Sequence, residues 1–544
     1  MQLFKRNVLY HNALFIQMIG EDKETKPDAM VIRGDKIIAV GEEASLRKNH
    51  KIHKSVDLGG GTVLPGLFDA HGHFLIEAMA ETLFVPLFSV PIGEIKTIDD
   101  IVETLQTYDK EHTQDTIIGF GYDDTKLNEG RLPDRHDLDK VSKDKPVIAM
   151  HQSFHIGSAN TKALEIAGID KNYEAPEGSV VYKDDAGFPT GAIEETPALM
   201  PLLKKILFPF VKKNHMFSVI AKGSKEYLSH GITTANEGAG LMDQMKLYKM
   251  AALFNKLKIR LIFNVLAPDD LDIPRTKKTQ GEYVGFRKRL TMGPIKLFTD
   301  GSIQGYTAYL KKPYHTQSES RDRGEDYRGY PRVDEAKYQH AVKTLNDRGR
   351  QYAVHANGDA AIEQVITAEE KTYTGGKNIV IHAQTTGNDQ LKRMKKVNLS
   401  PSFFPMHDYV WGKNHREIYL GEERASKMNP TRSAETMGIN YTIHIDSPVT
   451  PVNPWGLMWA AVNREDETGK PLGKDEAITS YQAIKAITVN AAKQYCIKDR
   501  GQLVAGNLAD FILVDKNPLV IDEQALWNVN VLKTYLGGKL MYQR

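Results

Sequence analysis

The stretch Asp69-Ala70-His71-Gly72-His73, directly after Leu64-Pro65-Gly66, combines residue type and spacing in a way that points to metal chemistry. Side chains two apart on an extended strand share a face, so His71 and His73 can direct two imidazole nitrogens at one divalent ion. A bare His-x-His also arises from composition alone, and its weight here comes from three later segments. Tyr352-Ala353-Val354-His355, Ile379-Val380-Ile381-His382 and Tyr441-Thr442-Ile443-His444-Ile445-Asp446 each read as a short buried strand that ends in a ligand-type side chain. A single buried histidine is ordinarily a satisfied core residue, and Asp446 before Ser447-Pro448 could equally form a turn or a cap. Four such strand ends in one chain are hard to explain as packing. A divalent ion in such a set lowers the pKa of bound water to about 7 and polarises a carbonyl. Asp446 can then take the water's proton and pass it to a leaving nitrogen. His444 has the parity of Asp446 and reads either as a donor behind the ligands or as packing.

These side chains need a frame. The middle of the chain repeats a strand-then-helix pattern, which predicts a parallel sheet and, at this length, an eight-stranded α/β barrel. Strands are expected at 63–69, 231–237, 259–266, 294–299, 351–356, 379–384, 398–404 and 440–446. Each candidate ligand then lies at a carboxyl end, where barrel enzymes carry their sites. Residues 81–225 exceed what a barrel needs and read as an inserted substrate-pocket subdomain over the barrel mouth. Its strand candidates are 116–122 and 146–150, with a helix at 160–167. Both termini are rich in short strand-like runs, and they are expected to pair into one β-sandwich. The expected division is 1–60 sandwich, 61–80 first barrel strand, 81–225 insertion, 226–495 barrel and 496–544 sandwich. The charge-rich stretch Lys311 to Arg332 reads as a solvated loop.

The bulk numbers narrow the function. With 544 residues and 41% hydrophobic content the chain can bury a large core. Its 71 Lys+Arg against 69 Asp+Glu give a net charge of +2, no electrostatic case for nucleic acid or a membrane surface. A small-molecule substrate is expected, and a homo-oligomer stays open. The single cysteine, Cys496, excludes an internal disulfide and reads as a core residue. Residues 1–20 lack a leader pattern and no run of eighteen apolar residues occurs, so a cytoplasmic protein without a spanning helix is expected.

Several strings together resemble a known group. The order His-x-His, Lys, His, His, Asp on successive strands is similar to the amidohydrolase superfamily. Leu64 to His73, Gly119-Phe120-Gly121-Tyr122-Asp123, Ser158 to Leu164, Ile295 to Ser302, His355-Ala356-Asn357-Gly358-Asp359 and Gly506 to Asp510 resemble its YtcJ-like, amidohydrolase-3 branch. The resemblance implies a TIM-like barrel with a β-sandwich and one or two divalent ions, zinc by its donor set. By it, His71 and His73 hold the more buried ion, His355 and His382 the second, and Asp446 is both ligand and general base. Lys296 falls where some members carry a carboxylated lysine that bridges two ions. Read from the residues alone, Lys296 could instead be a cation paired with Asp300, which shares its parity, and an unmodified lysine would leave one ion with Glu194 or Glu195 reaching in. Substrate contacts are expected from Tyr122 with Asp123, from His151, His155 and Asn160, and from Arg432. The alternatives are surface polarity, a helix cap and a surface ion pair. Tyr409 and Trp411 could wall an apolar pocket. The implied activity is hydrolysis of a non-peptide C–N bond. An esterase, lactonase or deaminase would use the same site, and a catalytically silent scaffold protein is the third reading.

Overall fold

A computed structural model describes residues 6–20, 26–176, 179–211, 213–268, 270–276, 278–316 and 324–544, with the backbone alone at 196 and 213–215. The chain forms two compact units. Met1–Phe74, Ser224–Asp446 and Val452–Arg544 make the first, and Leu75–Gly223 with Ser447–Pro451 make the second.

The first unit is built on eight parallel strands that follow one another across the sheet in chain order: Leu67–Phe68, Ile232–Gly240, Arg260–Leu266, Leu290–Phe298, Tyr352–Ala356, Ile379–His382, Ser400–Phe403 and Thr442–Ile443. Each overlaps a range expected from the sequence. Strands such as Ile379-Val380-Ile381-His382 are buried along their whole length, as a parallel sheet with covered faces requires. The sheet curls until its edges meet. Asp446 N donates to His71 O at 2.9 Å, and Ile445 N donates to Asp69 Oδ1 at 3.2 Å. Amphipathic helices follow the strands. In Asp359–Thr372, for example, Ala361, Ile362, Val365, Ile366 and Ala368 make one buried stripe at helical spacing.

The first expected strand, 63–69, divides in two. Thr62–Pro65 pairs antiparallel with Phe511–Val514, whereas Leu67–Phe68 pairs parallel with the strand at Ile232. The chain changes sheets at Gly66, where a Cβ would come within 2.2 Å of Thr233 Oγ1, so no larger residue fits the step. The strand Thr62–Pro65 carries the amino-terminal segment into a sheet with Phe511–Val514, Val531–Leu536 and Lys539–Gln543. A second sheet, Asn7–His11 to Lys54–Asp57, packs with it around Tyr10, Phe15, Ile32, Val63, Phe511, Leu513 and Tyr535. The two termini therefore share one core.

Of the stretch Lys311 to Arg332, residues 317–323 lie outside the described residues; those on either side are mostly exposed, as expected of a solvated loop, and a few contacts anchor them. Tyr314 is buried, His315 N and Thr316 N donate to Tyr419 O and Ile418 O, and Lys311 N donates to Asp359 Oδ1 at 2.8 Å. Aromatic residues spaced among the charges, Tyr314 and Tyr327, supply this anchoring.

The second unit has a six-stranded sheet in the order Val180–Lys183, Pro189–Glu194, Ile156–Ala159, Val147–His151, Ile117–Tyr122, Val85–Pro86. Two apolar clusters cover it, one around Phe120, Ile148 and Leu199, the other around Ile101, Leu105, Ile117 and Val147.

Candidate metal centre

At the carboxyl ends of the parallel strands, ligand atoms of His71, His382 and Asp446 all lie within 4.8 Å of one another, and all three residues are buried. His71 Nε2 and His73 Nε2 stand 3.5 and 3.6 Å from Asp446 Oδ1, and His382 Nε2 stands 3.9 Å from Asp446 Oδ2. The His355 ring is 4.6 Å from the His382 ring, centroid to centroid. Its Nε2 lies 3.0 Å from the Gly301 carbonyl and 3.1 Å from Asn357 Nδ2. Three of the expected ligands, His71, His73 and His382, thus gather around Asp446, and a fourth, His355, packs against His382.

Backbone strain and steric room serve the same point. His382, Ala383 and Asp446 have φ of 69°, 48° and 54°, a left-handed conformation that disfavours side chains and concentrates at functional sites. Gly238, after the second strand's Glu237, leaves the space His71 occupies: a Cβ there would sit 2.5 Å from His71 Cε1. Asp69, which the sequence reading passed over, is buried with its carboxylate on the Ile445 amide, and burial raises its pKa to about 8.

Burial, with the neighbouring cations and imidazoles adding to it, holds His71 and His382 well below the ordinary histidine pKa. Neutral imidazoles are the form that binds metal. His71 Nδ1 and Lys296 Nζ are buried with no hydrogen bond. The Nε2 atoms of His71, His73 and His382 around the Asp446 carboxylate make a set of borderline N and O donors that fits a divalent ion of the zinc type.

Lys296, on the fourth strand, is buried, and burial lowers its pKa to about 7, with Asp446 opposing and Arg332 adding to the shift. The expected alternative partner, Asp300, is taken. Its two oxygens accept the amides of Asn357, Gly358 and Tyr309 at 3.0, 2.8 and 3.0 Å. What lies beside Lys296 Nζ is the Phe298 ring, 4.8 Å from its centroid, and the Arg332 guanidinium stands 4.9 Å from the same ring. Arg332 was not singled out because it is one cation among many in a charge-rich stretch. Arg432, the arginine the sequence offered, sits exposed on the helix Thr431–Thr436, and the charge it bears on is the buried Tyr441 hydroxyl ahead of the eighth strand.

The pocket residues expected in the insertion have other partners. Asn160 spends its whole hydrogen-bonding capacity: Oδ1 accepts Val147 N and Ala163 N, and Nδ2 donates to Ser142 O and Lys145 O. It is a helix cap and a sheet clip. Tyr122 is fully buried, 3.2 Å from Ser158 Oγ, and His155 Nδ1 pairs with Glu195 Oε2 at 3.0 Å. Glu194 accepts the Tyr182 hydroxyl at 2.7 Å. Tyr409 packs edge-on against Trp459 and tilted against Trp527, and Trp411 is buried beside His407.

A second group, Asp123, Asp124 and His151, also gathers metal-type atoms within 4.8 Å. Its wiring differs. His151 Nδ1 accepts the Ser153 amide at 3.0 Å, so the ring's proton is on Nε2, 3.3 Å from Asp124 Oδ1 and 3.6 Å from Asp123 Oδ1. The group puts a proton where a metal would need a lone pair.

A curled parallel sheet with histidines and an aspartate at its carboxyl ends defines a metal-dependent hydrolase of the barrel type. The chain belongs to the amidohydrolase family, whose model matches residues 54–542. It is 26% identical over 556 residues to YtcJ of Bacillus subtilis (strain 168), which carries an amidohydrolase name, covering 98% of this chain and 99% of that one. It is 26% identical to an N-substituted formamide deformylase of Arthrobacter pascens over 95% of both chains. Among solved structures, an uncharacterised metal-dependent hydrolase from Pyrococcus horikoshii superposes with a TM-score of 0.75 at 26% identity, covering 95% of this chain and 99% of that one.

Proposed function

We propose that the protein hydrolyses an amide-type, non-peptide C–N bond in a small molecule, with zinc held by His71, His73, His355, His382 and Asp446. The buried convergence of His71, His382 and Asp446 carries this reading. A divalent ion bound there supplies a Lewis acid for the carbonyl and a water that loses its proton near pH 7, by about the shift known for zinc enzymes. Asp446 accepts the proton of the attacking water and delivers it to the departing nitrogen. Its left-handed backbone and the tie from its amide to His71 O hold the carboxylate against the two histidines of the first strand. The formamide deformylase relative favours nitrogen as the leaving atom over the oxygen of an ester.

Lys296 is proposed as a bridge between two ions in its carboxylated form. The neutral amine adds to carbon dioxide, a C–N bond forms and a proton leaves, and the product is a carbamate with two oxygen donors. A lysine with pKa near 7 and no hydrogen bond on Nζ has the lone pair this needs. Arg332, stacked on Phe298 beside it, is proposed to face the polar end of the substrate.

Elemental analysis of purified protein is expected to find zinc at one or two ions per chain, with activity on N-formyl or N-acyl amides that chelator removes and zinc restores. Full activity in a metal-free preparation would end the reading. Turnover of esters and lactones without any amide would move the assignment to the ester-cleaving alternative.

A further inference from the structure

We propose that His444 is a positioning residue that fixes which nitrogen of His382 is bare, at the end of a one-way hydrogen-bond chain starting at Gln494. The inference rests on the reading of His382 as a metal ligand. The direction of the chain follows from one atom that cannot donate. Gln494 Nε2 lies 3.3 Å from the Pro401 carbonyl and 2.7 Å from Ser400 Oγ, and only the amide nitrogen can face a carbonyl. Gln494 Oε1 therefore faces Thr442 Oγ1, at 3.0 Å, and Thr442 must use its single hydroxyl hydrogen on it.

The 2.7 Å contact between Thr442 Oγ1 and Ser402 Oγ then has Ser402 as its donor. With its own hydrogen used, Ser402 Oγ can only accept from His444 Nδ1, 2.9 Å away, so Nδ1 carries the imidazole proton. Ser402, Thr442 and His444 are fully buried, and the two His444 nitrogens face a hydroxyl and an imidazole, neither of which would balance a second proton, so the ring is neutral. A neutral ring has one proton, so His444 Nε2 is a bare acceptor. The 3.3 Å contact with His382 Nδ1 is thus His382 N–H donating, and the lone pair of His382 is left on Nε2, the nitrogen that faces Asp446. Phe404 lies flat on the His444 ring, 13° from parallel, and holds its plane. Reversing any one link would put a proton on the metal-facing nitrogen. The chain lies across the sixth, seventh and eighth strands, so the sheet itself sets the tautomer.

Zinc affinity measured by competition with a chromogenic chelator tests this on the whole protein. His444→Phe keeps a flat ring on Phe404 and removes both nitrogens, and it is expected to weaken zinc binding by about 10- to 100-fold, the range for partners behind a ligand. His444→Gln returns an acceptor near the Nε2 position and is expected to recover most of that loss. Thr442→Val keeps the volume, touches no ligand, and is expected to shift affinity in the same direction by less. Native affinity in His444→Phe, or a His444→Gln variant as weak as His444→Phe, would overturn the proposal. A second readout needs no metal: in metal-free protein labelled with 15N-histidine, the His382 signal, assigned by its loss in His382→Gln, should report Nδ1–H in the native chain and not in His444→Phe. Nε2–H in the native chain would refute the chain of donors. If native protein binds no zinc, the hydrolase reading fails, and the His382 tautomer still decides the positioning role.

Discussion

The group at the strand ends and the group Asp123–Asp124–His151 contain the same kinds of atoms, buried to the same degree, and they are wired in opposite senses. In the first, Nδ1 of His382 donates to another side chain and Nε2 is bare beside a carboxylate. In the second, Nδ1 of His151 accepts a backbone amide and Nε2 presents a proton to two carboxylates. A carboxylate beside an N–H already has a donor, whereas a carboxylate beside a bare nitrogen awaits a cation. Residue type and distance thus do not separate the two groups; the hydrogen bonds on the far sides of His382 and His151 do.

The largest test of that contrast is the double variant His71→Ala/His73→Ala. Zinc content and amide hydrolysis are both expected to fall to background, because the barrel loses its two first-strand donors while the insertion keeps its own cluster intact. Zinc that remains in the double variant and is lost only when His151→Phe is added would mean that Asp123, Asp124 and His151 hold metal, and the contrast would be lost. Asp446→Asn comes next: it keeps an oxygen for the ion and removes the base, so turnover should drop by about 10²-fold or more with the fold preserved. Near-native turnover would take the proton-transfer role away from Asp446.

On the insertion side the expected effect is on stability and not on metal. His151→Phe leaves Asp123 and Asp124 without the imidazole between them, and removing one partner of a buried charge cluster costs roughly 3 kcal/mol. Urea unfolding should show that loss, with zinc content and the Michaelis constant near native. A fall of one zinc per chain without a stability change would invert the assignment of the two clusters.

How far the sequence could be read follows from which interactions are local. The eight strands were legible because short apolar runs repeat at βα spacing, and the ligands follow from the five of those runs that end in or near His, Lys or Asp. The split of 63–69 was marked only by Gly66, whose need for space depends on Thr233, far away in the chain. Asn160 could be read as a cap or a pocket residue, and nothing local shows that Val147, Ala163, Ser142 and Lys145 use up its amide. His444 carried the right parity, yet its role depends on Ser402, Thr442 and Gln494, side chains on neighbouring elements that no spacing rule connects.

The effect expected at Lys296 is read on stability in metal-free protein alone, and its sign can be worked out. An exposed lysine holds its proton up to about 10.5, whereas burial brings that of Lys296 down to about 7. Between those values the unfolded chain binds more protons than the native one, so the native state gains stability as pH rises through this window, and the full penalty of the buried amine is present below pH 7. Lys296→Met removes the amine at similar volume. In metal-free protein its stability advantage over native should therefore be greatest near pH 6 to 7, by roughly the cost of burying a titratable group, and should shrink steadily towards pH 10. Urea midpoints across that range would show it. An advantage that is flat with pH, or a variant less stable than native at pH 7, would mean that Lys296 is a charged ammonium with a partner in the fold. The carbamate bridge would then lack its neutral amine, and the metal centre would reduce to the histidines and Asp446.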